Sequence, residues 1–229
     1  MSKKTIVVLS GAGMSAESGL GTFRDNGGLW ERFKIEDVAT PEAWVKDHVK
    51  VTGFYNMRRK QCFEAEPNLG HTALAELEKK YNVIIVTQNI DDLHERAGSK
   101  NVVHLHGEIN KVKSSGPQQE EEYYIQNDWE VKIGDNCPNG YQLRPHVVWF
   151  GEAVPMLETA AELMERADVF IIVGTSLNVY PAASLVHYVP DKAERFIIDP
   201  NHVKVSGGYE VISDSATRGL VRLKENFMK

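Results

Sequence analysis

Six short runs of apolar and β-branched residues punctuate the chain: Thr5–Leu9, Val83–Thr87, Val102–Leu105, His146–Phe150, Val169–Val173 and Phe196–Ile198. Several are apolar on both faces, so each must be buried from two sides. Stretches of helical periodicity lie between them, clearest at Leu69–Lys80 and Leu157–Ala167. Strands of this kind alternating with helices predict an α/β fold, a parallel sheet covered on both faces. Pro41 suits the first turn of another helix.

Two stretches break the alternation. Residues from about 26 to 67 read as a helical insertion. Residues 109 to 145 are polar, with turn signals at Ser114-Ser115-Gly116-Pro117 and Pro138-Asn139-Gly140. The expected architecture is therefore a Rossmann-like parallel sheet with helices on both faces, plus a small lobe built from two insertions. A length of 229 residues fits one such domain. Its large lobe spans about 1–25, 68–108 and 146–229, and its small lobe about 26–67 and 109–145.

Composition narrows the partners. The net charge is -6, so no global attraction for nucleic acid is expected. The mean hydropathy is -0.35, and no apolar run approaches the roughly 20 residues that span a bilayer. The apolar run after Met1 is too short for a signal peptide, so the chain is expected to be cytoplasmic, without membrane or nucleic-acid partners. Two cysteines, Cys62 and Cys137, are expected to stay reduced. The acidic triplet Glu120-Glu121-Glu122 reads as a solvated face.

The first strand runs into Gly11-Ala12-Gly13-Met14-Ser15-Ala16, a Gly-x-Gly-x-x-Ala loop. Such glycines let the backbone approach a pyrophosphate, and a following helix start offers N–H groups to an anion. The motif is short, and an ordinary tight strand-to-helix turn is the other reading. In a hydride-transfer domain a ribose-binding acid ends a second strand about 20 residues on. Here the next strand begins near Val83. The intervening Glu17 to Asp25 reads as a mobile loop over a bound dinucleotide, with Arg24 available to phosphate or ribose and Phe23 able to stack.

Further polar segments finish later strands: Thr87-Gln88-Asn89-Ile90-Asp91-Asp92, Leu105-His106-Gly107-Glu108, Val147-Val148-Trp149-Phe150-Gly151-Glu152 and Gly174-Thr175-Ser176-Leu177-Asn178. With the glycine loop and Thr22-Phe23-Arg24, this ordered set resembles the sirtuins, NAD-dependent protein lysine deacylases, from about Thr5 to Leu223. The resemblance implies that NAD is consumed. The acyl oxygen of a modified lysine attacks the ribose carbon bearing nicotinamide, and the products are free lysine, nicotinamide and O-acyl-ADP-ribose. It makes His106 the general base, with Asn89 and Asp91 also catalytic. It places Gly11, Ala12, Gly13, Ser15, Ala16, Glu17, Phe23, Arg24, Trp30, Gln88, Asn89, Ile90 and Asp91 against NAD. Gly174, Thr175, Ser176, Asn178, Asp199, Pro200, Asn201 and Ala216 join them. Val148, Phe150, Gly151 and Glu152 would pair with the acyl-lysine peptide as an added strand. His104, two residues before His106, is a reminder that a histidine here need not be catalytic.

Tyr55 and Arg58 are three apart and share a helix face. A phenol and a guanidinium together suit a carboxylate, and this Tyr-x-x-Arg matches the sirtuin branch that removes succinyl and malonyl groups. The other reading is a surface Arg58-Arg59 pair with Tyr55 in the core. Most sirtuins hold the small lobe with a zinc on four cysteines. Only Cys137 lies in that region, so no zinc is expected. Tyr123, Tyr124, Ile125, Trp129, Val131 and Ile133 are the expected replacement packing. The chain is expected to act as a monomer on acyl-lysine side chains of proteins, with deacetylation alone, ADP-ribosyl transfer, non-catalytic NAD sensing and, weakest, a dehydrogenase as alternatives.

Overall fold

The computed structural model describes residues 3–22, 32–117, 123–201 and 207–229. β1 (Thr5–Ser10) is central. β2 (Asn82–Thr87) and β3 (Val102–His104) extend the sheet on one side. β7 (Val169–Val173), β8 (Glu194–Ile198) and β9 (Glu210–Ile212) extend it on the other, giving the all-parallel order β3-β2-β1-β7-β8-β9. The chain reverses its direction of travel across the sheet between β1 and β7. In an open α/β sheet, the crevice beyond the strand ends at such a switch is where ligands bind.

Period-two alternation sorts the sheet residues into two cores. Ile6, Val8, Ile85, Ile171 and Val173 pack beneath α3 (Leu69–Leu77) and α6 (Ala216–Met228). Val7, Leu9, Val86, Phe170 and Ile172 face α5 (Leu157–Met164) and a 3-10 helix at Ala182–Tyr188. The α3 start is set by Asn68, which accepts from the N–H groups of Gly70 and His71 while His71 Nδ1 accepts from Asn68 N. Asn68 Nδ2 also donates to Met14 O, tying this cap to the glycine loop.

The second sheet is antiparallel, in the order β5 (Tyr123–Ile125), β4 (Gly107–Ser114), β6 (Leu143–Val147). The expected parallel strand at His146–Phe150 is thus corrected. Its first residues belong to this small sheet, and 148–152 is a loop. The sixth strand of the large sheet is β9, which pattern reading missed because it is three residues long with one buried side chain. The polar insertion hid β4 and β5 for a related reason: Lys111 and Lys113 sit within β4, and only one face is covered.

The helical insertion contains α1 (Ile35–Val38) and α2 (Pro41–Glu64), the latter capped by Thr40 Oγ1, which accepts from Ala43 N. α2 lies on β4 and β6 and carries the pins that hold the small sheet. Arg59, fully buried, donates through Nε to Ile109 O at 2.7 Å and through Nη1 to Asn56 Oδ1 and Trp129 O. Asn56 bonds both backbone groups of Val131. Beyond them, Gln142 accepts from Gly134 N and donates to the carbonyls of Lys132 and Asp135. The expected apolar packing is partly corrected: Val131 is buried, but Ile125 and Ile133 are exposed. Cys137 Sγ donates to Ser114 Oγ, and among the described residues no group of three or more His, Cys, Asp or Glu is placed to hold a metal.

Arg59→Met would strand the carbonyls of Ile109 and Trp129 away from bulk water and leave Asn56 Oδ1 with Val131 N alone. The expected cost is about 3 kcal/mol of unfolding free energy, read as a lowered chemical-denaturation midpoint. An unchanged midpoint would mean that the lobe is held elsewhere.

Candidate active site

The strand ends at the switch point open into a cavity of about 770 Å³. Gly11 and Gly13 line it, but their glycine character has a second cause. A Cβ on Gly11 would meet Thr175 Cβ at 2.7 Å, and one on Gly13 would meet Gly174 Cα at 2.8 Å. Gly174 itself has φ +62 and faces Gly13 and Met14. The two loops cross in contact, and side chains there would wedge them apart. Gly174→Ala combines a left-handed backbone with that clash. It should weaken dinucleotide binding about tenfold or more, measurable by calorimetry.

Among the described residues no regular helix follows directly on either loop. Ala12–Met14 and Ala16–Ser18 form two 3-10 turns, and the segment after Thr175 is irregular, with Leu177 at φ 55. The expectation of a helix-start anion site after Gly11–Ala16 is therefore corrected. The helix N-terminus that does meet the cavity is that of α6, at Ser215 and Ala216, where the Glu17 carboxylate accepts from Thr217 N. Burial raises the Glu17 carboxyl and its hydrogen bonds to Thr217 and Ser215 lower it, for a net downward shift.

Most expected cofactor residues line this one cavity. They include Ala12, Ala16, Gln88, Asn89, Ile90, Thr175, Ser176 and Asn178, with Asp199, Pro200 and Asn201 from the end of β8. Phe23, Arg24 and Trp30 lie outside the described residues. Ser15 and Asp91 are buried behind the wall. Asn89 Nδ2 donates to Ser15 Oγ at 3.1 Å, and Ser15 Oγ donates to Asp91 Oδ2 at 3.0 Å. Asp91 is thus linked to the cavity wall through Ser15 and Asn89. Its carboxyl is pushed up by burial, against the hydrogen bond from Ser15. Gln88 Nε2 donates to Thr175 Oγ1, bridging the tips of β2 and β7 across β1.

His106, just beyond β3, donates from Nδ1 to Gln88 O at 3.0 Å, which leaves Nε2 as its proton-accepting nitrogen. Burial lowers its pKa, only partly offset by that bond, so the ring is neutral at neutral pH. The same cavity wall carries Tyr55 and Arg58, one turn apart on α2 and both buried. The reading of Arg58-Arg59 as a surface pair is corrected, since both guanidiniums are inside. Burial pushes the Tyr55 phenol up, keeping it a neutral donor. Desolvation lowers Arg58, but a guanidinium stays charged.

Wall residues that were not assigned to the site from the sequence include Ala39, Phe54, Trp149, Leu177, Val179 and Tyr180. Trp149 is the best defined of them. Arg144 lies over its ring at 3.2 Å and grips Glu152 through Nη1 and Nη2, while Trp149 N donates to Glu152 Oε2. Glu152 therefore lines the cavity with its carboxylate committed to holding the 147–152 loop. The N–H groups of Val148 and Phe150 go to His106 O and Ala39 O. A peptide would meet this loop without the row of donors expected of a free strand edge.

Fold and site together define an α/β enzyme with a nucleotide-sized crevice that ends at a neutral histidine and a buried phenol–guanidinium pair. The Sir2 family model matches residues 11–181, and the chain belongs to that family. An NAD-dependent protein deacylase of Bacteroides thetaiotaomicron is 55% identical over 227 residues, covering 97% of both chains. One from Helicobacter pylori is 49% identical over 221 residues, 95% of this chain and 94% of that one. Among solved structures, a Sir2 homologue bound to NAD superposes with a TM-score of 0.88 at 39% identity, over 99% of this chain and 90% of that chain. A mutant Sir2 homologue with ADP-ribose gives 0.91 at 40%, over 99% and 92%.

Proposed function

We propose that this cavity uses NAD to remove acyl groups from protein lysines and takes succinyl and malonyl groups in preference to acetyl. The observation that carries the reading is the convergence of His106 with Tyr55 and Arg58 on one cavity at the switch point. NAD fits the residues present: the lining extends from Asp199 and Ala216 past the crossed glycine loops to Asn89 and His106. When bound, it supplies an activated ribose carbon, from which nicotinamide leaves as the acyl oxygen attacks.

The chain's own groups do the rest. His106 Nε2 accepts a proton from a ribose hydroxyl, and a neutral, buried imidazole is suited to that task. Asn89, held through Ser15 and Asp91, presents its amide to the same region. Tyr55 and Arg58 offer a neutral hydroxyl and a charged fork, which together satisfy a carboxylate at the end of an acyl chain. An acetyl group makes neither contact, so it gains only the shared lysine binding. A monomer is proposed as the working unit.

Acetyl-, malonyl- and succinyl-lysine peptides incubated with NAD test the reading by mass spectrometry. Loss of the acyl mass with nicotinamide release is expected, fastest for the acidic chains. A gain of ADP-ribose on the peptide, or NAD binding without nicotinamide release, would replace it with a transferase or a sensor.

A further inference from the structure

Two histidines stand two residues apart at the β3 tip, and the β2 tip gives each a carbonyl. His106 Nδ1 meets Gln88 O at 3.0 Å, and His104 Nδ1 meets Asn89 O at 2.9 Å. Their second nitrogens differ. That of His106 is left for the cavity, whereas His104 Nε2 lies 2.8 Å from Glu95 Oε1. A carbonyl and a carboxylate are both acceptors, and a neutral imidazole has one N–H to give. Both bonds of His104 can be made at once only if the ring carries two protons.

We propose that His104 is held as an imidazolium by Glu95 and acts as the positioning residue for Asn89, so that the two β3 histidines work in opposite charge states. The kinetic part of this proposal rests on the deacylase reading above. Asn89 is otherwise held by its N–H to Thr87 Oγ1 and by its side chain to Ser15. His104 holds the carbonyl of the same residue. Releasing it lets the peptide after Asn89 rotate, and the neighbouring Gln88 carbonyl, which aims His106, follows. The ring is buried, so water does not replace the lost donor.

The groups acting on His104 are Glu95, Asp92 and His94 around α4 (Leu93–Arg96), Asp91 before it, and Glu108 on β4. His94 is fully buried and pushed far down, hence neutral; Glu108 is paired with Lys111 and Asp92 with Arg96, which leaves Glu95 as the acid in direct contact. Burial lowers the His104 pKa, but Glu95, Asn89 O and Glu108 raise it further, and the net shift is above the ordinary 6.5. The His106 shift is below it. The signs then predict a bell. Activity falls as pH drops through the depressed His106 value, where the base is lost. It falls again as pH rises through the elevated His104 value, where the hold on Asn89 is lost.

Nitrogen-15 NMR of histidine side chains in the full chain reads the charge state without any turnover, with the signal assigned by its absence in His104→Asn. An imidazolium is expected at neutral pH in wild type, losing its proton at lower pH in Glu95→Gln. A neutral His104 at neutral pH overturns the proposal. In kinetics with acyl-lysine peptide and NAD, His104→Leu should lower kcat about tenfold with little change in KM for NAD. His104→Asn places an amide where Nδ1 was, so kcat should recover to within about threefold while the alkaline limb disappears. Glu95→Gln should move that limb down by about one pH unit. An alkaline limb that persists unmoved in both variants, or no rescue by asparagine, overturns it. If His104→Leu does not fold, the asparagine and glutamine variants still decide. If wild type shows no deacylation, the function reading fails while the NMR result stands on its own.

Discussion

Arg58→Met should cut kcat/KM for a succinyl-lysine peptide about 10²- to 10³-fold, the loss expected when a buried charge-assisted pair loses one partner. Turnover of the acetyl peptide should change by less than about threefold, because an acetyl group makes no contact needing a charge. The contrast follows from geometry. Arg58 is buried in the cavity wall, with Nη1 donating to Gln61 Oε1, and Tyr55 lies one turn away. Burial desolvates Arg58, so an incoming carboxylate would add its counter-charge in a place where charge attraction is little screened. Tyr55→Phe removes one neutral hydrogen bond and should cost only about tenfold. Steady-state rates for both peptides with both variants check the idea. Equal losses on succinyl and acetyl substrates would mean that Arg58 shapes the pocket without reading the acyl group.

Formation of the O-acyl product should fall about 10²- to 10⁴-fold in His106→Asn, the usual worth of a positioned general base. Binding of ADP-ribose should stay within a few fold, since the crossed loops at Gly13 and Gly174 and the α6 start near Ala216 are untouched. The separation arises because His106 is fixed through Gln88 O at one edge of the cavity. Product analysis after rapid mixing and calorimetry on the same sample make the comparison. Parallel loss of binding and product would show that His106 carries the cavity's shape instead of its chemistry.

Much of this was legible one residue at a time. Strands with two apolar faces announce a covered parallel sheet, and β1, β2, β3, β7 and β8 all formed close to where the pattern put them. The polar strand tips were legible because residues such as Asn89 and His106 have no packing reason to end an apolar run. What stayed hidden depended on neighbours remote in the chain. β9 is too short to carry a pattern and exists because β8 offers it an edge. Val147 is as β-prone as any sheet residue, yet its partner is Gly107 on β4, since strand pairing is decided across space.

The glycine loop shows the same division most sharply. Its sequence already specified a tight turn at a ligand-binding strand end, because glycine's conformational freedom is a local property. That Gly11 and Gly13 must be bare to let Gly174 cross them is a contact between loops more than 160 residues apart, and only packing decides it. The charge states of the histidines divide likewise. His104 ends β3, His106 follows two residues on, and both have the same intrinsic chemistry. Glu95 stands beside one and the open cavity beside the other, and the tertiary structure alone puts them there.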